Sequence, residues 1–466
     1  MKKLKIRAKD LKSIGFENDK ALIAALEAIN LHFSTSLKKE VLDILGKVLA
    51  APHKFKDDLI LGKIAHALIK KAEIYTEDIS LSTEYGDYVT YGAAEIEAGA
   101  INQMDLAIRL PVAVSGALMP DAHQGYGLPI GGVLATDNAV IPYGVGVDIG
   151  CRMCLSIFEL PETFIESNQK LLKKELTEHT LFGAGRSFPK PLDHEVLNRN
   201  EFKEISFLRG LHSTARAQIG TSGSGNHFVE FGIAEITEQT KELNVKPGNY
   251  IALLSHSGSR GFGASIANHY TKLAMEKCKL PREAKHLAWL NLDEELGMEY
   301  WLAMNLAGDY ASACHHQIHE KIINSLGAKM VGRVENHHNF AWKERYHNKE
   351  VIVHRKGATP AGRDVLGIIP GSMIAPGFIV KGKGEVRSLN SASHGAGRKM
   401  SRTQAKNSIT QRQLEDTLKE AGVLLIGGGL DEAPIAYKNI HQIMAAQEDL
   451  VDVLGRFYPK IVRMDS

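Results

Sequence analysis

The chain predicts a mixed α/β fold of the α+β kind, fronted by a small helical extension, and three features of its patterning carry that expectation. Over residues 1 to about 80 the apolar residues fall at helical spacing, as in Leu22, Ile23, Leu26, Ile29 and Leu31 and again in Val41, Leu42, Ile44, Leu45, Val48 and Leu49. From about Tyr85 the character changes to short apolar runs broken by glycine. His123-Gln-Gly-Tyr-Gly-Leu-Pro-Ile-Gly-Gly-Val and Pro142-Tyr-Gly-Val-Gly-Val-Asp-Ile-Gly-Cys read as strands and tight turns. Beyond them, strand-like and helix-like segments follow without regular βαβ alternation or a repeat of fixed period, which argues against Rossmann, TIM-barrel and solenoid topologies.

Helical spacing returns over Glu162 to Thr180, Gly261 to Cys278 and Asp293 to Leu326, with strand-like runs at Tyr250 to Ser255 and Glu350 to His354. A length of 466 residues is generous for one average domain. The expected division is a helical extension over 1–80 and a catalytic domain over 85–466.

Lys plus Arg number 56 against 54 Asp plus Glu, a formal charge of +2, so any contact with nucleic acid has to be a local patch. The densest early cluster, Lys3, Lys5, Arg7, Lys9 and Lys12, reads as a solvated face. The charged N-terminus lacks the apolar core of a signal peptide, and no stretch approaches the roughly 18 apolar residues of a membrane helix. The 4 cysteines, at 151, 154, 278 and 314, are too few for a disulfide scaffold and suit a reducing cytosol. A soluble cytoplasmic protein is expected.

The 20 histidines are numerous, and many stand beside glycine, serine or asparagine rather than on periodic helical faces. Metal-binding or nucleophilic side chains concentrate in Asp148-Ile-Gly-Cys151, Asn226-His227-Phe-Val-Glu230, Ser255-His256-Ser-Gly-Ser-Arg260, His337-His338-Asn339 and Ser393-His394-Gly-Ala-Gly-Arg398. Each histidine taken singly reads as a hydrogen-bonded structural residue; their recurrence in turn-forming sequence points to a site. Asp148 and Cys151 can ligate one ion or bridge two, because Gly150 permits a turn that aims both the same way. Mixed O, N and S donors fit Mn, Zn, Fe or Co rather than a Mg or Ca cage.

Two competing patterns are weaker. Cys151-Arg-Met-Cys154 has no second pair to complete a zinc site. His315 and His319 share a helical face but lack the glutamate of a metalloprotease motif, so they read as part of a solvated or structural helix. The loops Gly220 to Asn226, Pro370-Gly-Ser-Met373 and Gly395-Ala-Gly-Arg398 can bring backbone N–H groups to phosphate oxygens. His394 at the mouth of one loop can attack phosphorus and hold the transferred group as a phosphoramidate. Arg398 either neutralises phosphate charge or forms a structural ion pair.

Met119-Pro-Asp-Ala-His-Gln-Gly-Tyr-Gly-Leu-Pro-Ile-Gly-Gly, Asp148-Ile-Gly-Cys151, Gly225-Asn-His-Phe-Val-Glu230, His256-Ser-Gly-Ser-Arg-Gly261, His354-Arg-Lys-Gly-Ala, Ile369-Pro-Gly-Ser-Met373 and Ser393-His-Gly-Ala-Gly-Arg398 together resemble the RtcB family of RNA ligases. The likeness runs from about residue 85 to the C-terminus. It implies central β-sheets around a dinuclear manganese site and GTP-dependent joining of RNA 3′-phosphate or 2′,3′-cyclic phosphate ends to 5′-hydroxyl ends, in RNA repair or tRNA splicing. His394 would carry GMP covalently, and Asp148, Cys151, His227, His256 and His338 would be the metal ligands. Asn226, Glu230, Asn339, Pro370, Gly371, Ser372, Met373, Gly395, Ala396, Gly397 and Tyr437 would line the guanylate site.

The chain departs from the family at several places. Met464, beside Arg463, stands where the family has a C-terminal lysine that contacts guanylate, and Gly377 stands where a serine is expected. His315-His316-Gln317 replaces an Asn-Arg-Gln stretch, and the first eighty residues match nothing in the family pattern. A metal-dependent cyclic phosphodiesterase or phosphatase that does not seal is the alternative activity, and a non-catalytic RNA-binding subunit is a third reading that the intact nucleophile and ligand positions argue against.

Overall fold

The computed structural model describes residues 6–16, 19–33, 36–68, 79–84 and 86–465. Lys3 and Lys5 of the early basic cluster, residues 69–78 and Tyr85 lie outside the described residues. Contacts divide the chain into two compact units, residues 1–76 and 77–466. No described helix is long and apolar enough to cross a membrane.

In the first unit, Val41, Leu45 and Val48 stand three or four residues apart and so share one face of the helix Lys38–Ala50. That face is buried with Leu11, Phe16, Ala25 and Ile64, contributed by the helices Ala8–Lys12, Asp19–His32 and Gly62–Leu68 and the turn after the first of them.

The second unit is mixed α/β and built on two principal sheets. A 5-stranded sheet runs Tyr88–Thr90, Ala113–His123, Ile130–Thr136, Lys349–Lys356, Asn339–Tyr346; its first pairing is parallel and the others antiparallel. An 8-stranded sheet runs Leu366–Ile369, Gly377–Gly382, Val451–Met464, Phe228–Ile236, Gly248–Ser257, Arg152–Phe158, Met330–His337, with Leu424–Ile426 joined parallel to Val451–Met464. Arg152–Phe158 is buried throughout, and Gly248–Ser257 from Ile251 onward, which explains their nearly unbroken apolar runs.

One face of the larger sheet is covered by the 32-residue helix Glu295–Leu326, which packs on Gly248–Ser257 and Arg152–Phe158. Tyr300, Met304, Ala307, Tyr310, Cys314 and Ile318 supply its buried stripe. Pro142–Val145, expected as strand and turn, is instead a single helical turn; Pro142 holds its first position, where the missing N–H costs nothing.

The chain leaves the large sheet at His337 and enters the small one at Asn339. His338 therefore sits at the crossing between sheets, and the chemistry gathers around it.

Candidate active site

Asp148 and Cys151 belong to the turn that enters Arg152–Phe158. Gly150 takes φ +69°, and a Cβ there would meet the Gly308 Cα at 2.8 Å, so glycine alone permits the turn and its close approach to the long helix. Just past the end of the neighbouring strand Gly248–Ser257, a Cβ at Gly258 would lie 2.1 Å from both Asp148 carboxylate oxygens, so that glycine makes room for them.

The Cys151 Sγ lies 3.5 Å from His227 Nε2 and 3.2 Å from His256 Nε2. Asp148 Oδ2 is 3.0 Å from His227 Nε2, and His256 Nε2 is 3.2 Å from His338 Nε2. The donors thus fall into two groups that share one thiol: Asp148, Cys151 and His227; and Cys151, His256 and His338. The His256 Nδ1–H donates to the Asn226 carbonyl at 3.1 Å, leaving the Nε2 lone pair facing the cluster. His338 is held through its main chain, its N–H donating to the Cys151 carbonyl at 3.0 Å and its carbonyl accepting from Gly357 N–H at 2.8 Å.

Burial lowers the His256 pKa to about 3 and drives His338 well below its ordinary value. Burial and then Arg260 lower His227 as well, so all three imidazoles are neutral, the form that ligates metal. Burial, and then the Asp148 charge, raises the Cys151 thiol. For Asp148 burial acts upward, but the His227 hydrogen bond and the Arg260 charge outweigh it and hold the carboxyl well below the usual range.

The His338 Nδ1 is buried without a hydrogen-bond partner, and two ring nitrogens face each other across 3.2 Å. One proton can bridge the facing pair, but none of the described residues satisfies His338 Nδ1, and a thiol, a carboxylate and three neutral imidazoles together form a donor set that fits a transition-metal site.

His394 follows the short strand Ser391–Ser393. Its Nδ1 lies 2.6 Å from the Asp121 Oδ2, which also accepts the His394 N–H at 3.1 Å and the Gly395 N–H at 3.4 Å. Asp121 is fully buried. A carboxylate can only accept, so the proton belongs on Nδ1 and the Nε2 lone pair is free. The His394 ring stands 5.0 Å from that of His338.

Arg398 has its guanidinium committed: it reaches Glu432 at 3.2 Å, the Asp431 carbonyl at 2.7 Å and the Met400 carbonyl at 3.1 Å. Glu432 is buried and also takes the Tyr437 hydroxyl and Arg402. Arg398 is thus a structural cation in the wall rather than a free one.

Every residue expected in the site lines one cavity of about 420 Å³: Asp148, Cys151, His227, His256 and His338; His394; and Asn226, Glu230, Asn339, Pro370, Gly371, Ser372, Met373, Gly395, Ala396, Gly397 and Tyr437. Two groups escaped the sequence reading. Asp121 lay within a quoted motif, but its contact with His394 spans 273 positions and no local spacing announces it. Lys356, also within a motif, lines the cavity and donates to the Tyr126 carbonyl, and burial lowers its pKa to about 7.

The two weaker patterns meet on the opposite face of the sheet. Cys154, His315 and His319 form a second buried cluster. There the His315 Nε2–H donates to the Ser257 carbonyl at 3.0 Å, and Nδ1 accepts from the Ser255 hydroxyl at 2.6 Å. The His319 Nε2–H donates to the Ser255 Oγ, and Nδ1 accepts from the Ser156 hydroxyl, both at 2.8 Å. Every ring nitrogen is satisfied, so these histidines are structural and buried rather than solvated.

Comparison with known proteins agrees with the geometry. The profile of the family described as tRNA-splicing ligase RtcB matches residues 103–210 and 193–465. The RNA-splicing ligase RtcB of Escherichia coli (strain K12) is 34% identical over 394 residues, covering 77% of this chain and 92% of that protein. The tRNA-splicing ligase RtcB of Nanoarchaeum equitans is 30% identical over 416 residues, covering 74% and 87%. RNA-splicing ligase RtcB homolog 2 of Entamoeba dispar is 28% identical over 489 aligned residues, covering 88% and 92%. With the profile matching most of the second unit and the motif residues converging on one cavity, the chain belongs to the RtcB family.

Proposed function

We propose that this chain is an RNA ligase that joins a 3′-phosphate or 2′,3′-cyclic phosphate end to a 5′-hydroxyl end, drawing on GTP through a nucleotidyl-His394 intermediate. The observation that carries this reading is the His394–Asp121 pair at 2.6 Å, which frees Nε2 beside the Asp148, Cys151, His227, His256 and His338 cluster. Those five residues would hold two manganese ions, which supply Lewis-acid charge at phosphate oxygens.

His394 Nε2 attacks the α-phosphorus of GTP; an N–P bond forms, the bond to the β-phosphate oxygen breaks, and pyrophosphate leaves with the electron pair. Asp121 stabilises the positive ring through Nδ1–H, as the carboxylate of a catalytic triad does. A cyclic phosphate is first opened by water to a 3′-phosphate. An oxygen of that phosphate attacks the histidine-bound phosphorus, the N–P electrons return to Nε2, and the RNA end carries GMP through a pyrophosphate bridge. The 5′-hydroxyl then attacks the RNA phosphorus, loses its proton, and GMP departs. The Gly395 to Gly397 and Pro370 to Met373 loops line the cavity and would meet the phosphates, and Lys356 can give or take a proton near neutral pH.

The test supplies RNA ends of both kinds with manganese, with and without GTP. Sealed RNA that requires GTP and disappears in His394→Ala is the expected result. Opening of the cyclic phosphate without sealing under all conditions would favour the phosphodiesterase alternative instead.

A further inference from the structure

The two units differ in charge. Residues 1–76 hold 15 Lys plus Arg against 9 Asp plus Glu, a formal +6, while residues 77–466 hold 41 against 45, a formal −4. The extension thus carries more than the net charge of the whole chain, +2. Two divalent ions in the candidate site would bring the second unit only to neutrality. Of the cations that line its cavity, Arg398 and Arg402 are taken up by Asp431 and Glu432, and burial lowers the Lys356 pKa to about 7. A long polyanion therefore meets little net attraction on the second unit.

Within the extension the positive charge is gathered. Lys9 and Lys12 stand three residues apart on the helix Ala8–Lys12 and are exposed, whereas Leu11 between them is buried. Arg7, just before that helix, is exposed as well. Lys38 and Lys39 open the helix Lys38–Ala50, and the Lys38 Nζ lies 3.0 Å from the Asp10 Oδ1, which brings two stretches distant in sequence side by side. The other Asp10 oxygen accepts the Arg7 main-chain N–H at 2.8 Å, so that carboxylate is spent on Lys38 and the backbone. Arg7, Lys9, Lys12 and Lys39 make no ion pair with a described residue, and Glu40 is the other acid beside them. Five cations against two carboxylates leave a local charge of +3. Crowded like charges repel, so such a patch gains from a polyanion whose phosphates replace its counter-ions.

An anionic membrane would require an apolar face beside the cations. Here the apolar residues of Ala8–Lys12 point into the core of the unit, and Leu37 is the one exposed apolar residue next to the cations in sequence.

We propose that the helical extension is a tether for the RNA backbone, in which Arg7, Lys9, Lys12, Lys38 and Lys39 form a phosphate-binding patch that holds the substrate strand without reading its sequence. The inference rests on the proposed ligase reading for the identity of the polyanion.

The test measures binding of a single-stranded RNA of about 20 nucleotides, ending in a 3′-phosphate, to the full manganese-loaded chain without GTP over a series of salt concentrations. Lys9→Glu, Lys12→Glu and Lys39→Glu are combined in one variant. A second variant combines Lys170→Glu, Lys173→Glu and Lys241→Glu, an equal change of net charge at exposed positions of the second unit. The patch variant should bind at least about tenfold more weakly near 0.1 M salt, and its plot of log K against log salt should be shallower by about 2, since each lost single-strand phosphate contact removes about 0.7. The second variant should keep the wild-type slope. Glutamine at Lys9, Lys12 and Lys39 should lower the slope in the same way with a smaller loss of affinity, which separates lost contacts from added repulsion. Wild-type affinity and slope in the patch variant would overturn the proposal, and so would an equal loss in both variants. Binding to phosphatidylserine vesicles that depends on the patch, with RNA binding that does not, would assign the patch to a membrane and overturn it as well. The ligase reading is followed separately, through the His394 adduct formed with GTP in the absence of RNA. Patch-dependent RNA binding by a wild-type chain that forms no adduct would remove the ligase mechanism and leave the tether standing.

Discussion

Two clusters of histidine and cysteine sit back to back on the same pair of strands, Arg152–Phe158 and Gly248–Ser257. On one face Cys151, His227 and His256 converge; on the other, Cys154, His315 and His319 do. Both are buried and hold the same donor types, yet they differ in their hydrogen bonds. On the back face, Ser255, Ser156 and the Ser257 carbonyl satisfy every ring nitrogen. On the front face His338 Nδ1 has no partner, two ring nitrogens face each other, and Asp148 adds a charge. Protons complete the first cluster, whereas the second keeps an unpartnered His338 nitrogen and a carboxylate among its donors, so proximity of ligand types alone does not mark a metal site.

The largest effect that separates the faces is expected from the two cysteines. Cys151→Ala should lower manganese affinity by at least about 100-fold and abolish the His394 adduct, since both donor groups lose their shared thiol. Cys154→Ala should retain the full metal content. Equal metal loss in both variants, measured by elemental analysis after dialysis, would erase the distinction.

Asp121→Asn should slow adduct formation by about 10²- to 10⁴-fold, because an amide can donate to Nδ1 and favours the wrong tautomer of His394. Metal content should not change. An unaltered rate in single-turnover labelling would show that Asp121 does not orient the nucleophile.

Ser255→Ala removes the hydroxyl that links two buried rings and leaves a donor and an acceptor unpaired. A loss of about 1–3 kcal/mol is expected in denaturant unfolding, with metal affinity unaffected.

The last effect is a pH slope, modest over any single pH unit. Burial lowers the His319 pKa to about 3, against about 6.5 in the unfolded chain. Its neutral form therefore contributes stability that is fully present above pH 6.5 and is lost as pH falls toward the folded value, because the unfolded chain takes up the proton first. His319→Gln should flatten the stability profile between these limits by up to about 1.4 kcal/mol per pH unit. A parallel profile in acid denaturation would show that His319 does not titrate this way.

The motifs revealed much of the front face. Asp148, Cys151, His227 and His394 stand in or beside glycine- or serine-rich turns, His256 at the end of a strand that runs into one and His338 between two strands, all without helical periodicity, and the structure brings all of them to one cavity. The helices at 260–277 and 295–326 and the strands at 248–257 and 349–356 follow from apolar spacing to within a few residues. The contact of Asp121 with His394 was not legible, because it joins the end of the strand Ala113–His123 to the loop after Ser391–Ser393, 273 positions away. The back cluster was divided in the sequence between a Cys-x-x-Cys pattern and a helical histidine pair, and only the pairing of strands with the long helix unites them. Alternation along Arg152–Phe158 explains the division of the cysteines: Met153 faces the cavity and Cys154 the helix.

The most direct measurement of the central claim is peptide mapping by mass spectrometry after the manganese-loaded chain is incubated with GTP without RNA. One guanylate should be found on the peptide carrying His394, through an acid-labile phosphoramidate, and be absent from His394→Ala. Guanylate on a different residue, or an unmodified chain with manganese and nucleotide both bound, would contradict the assignment of His394 as the nucleophile.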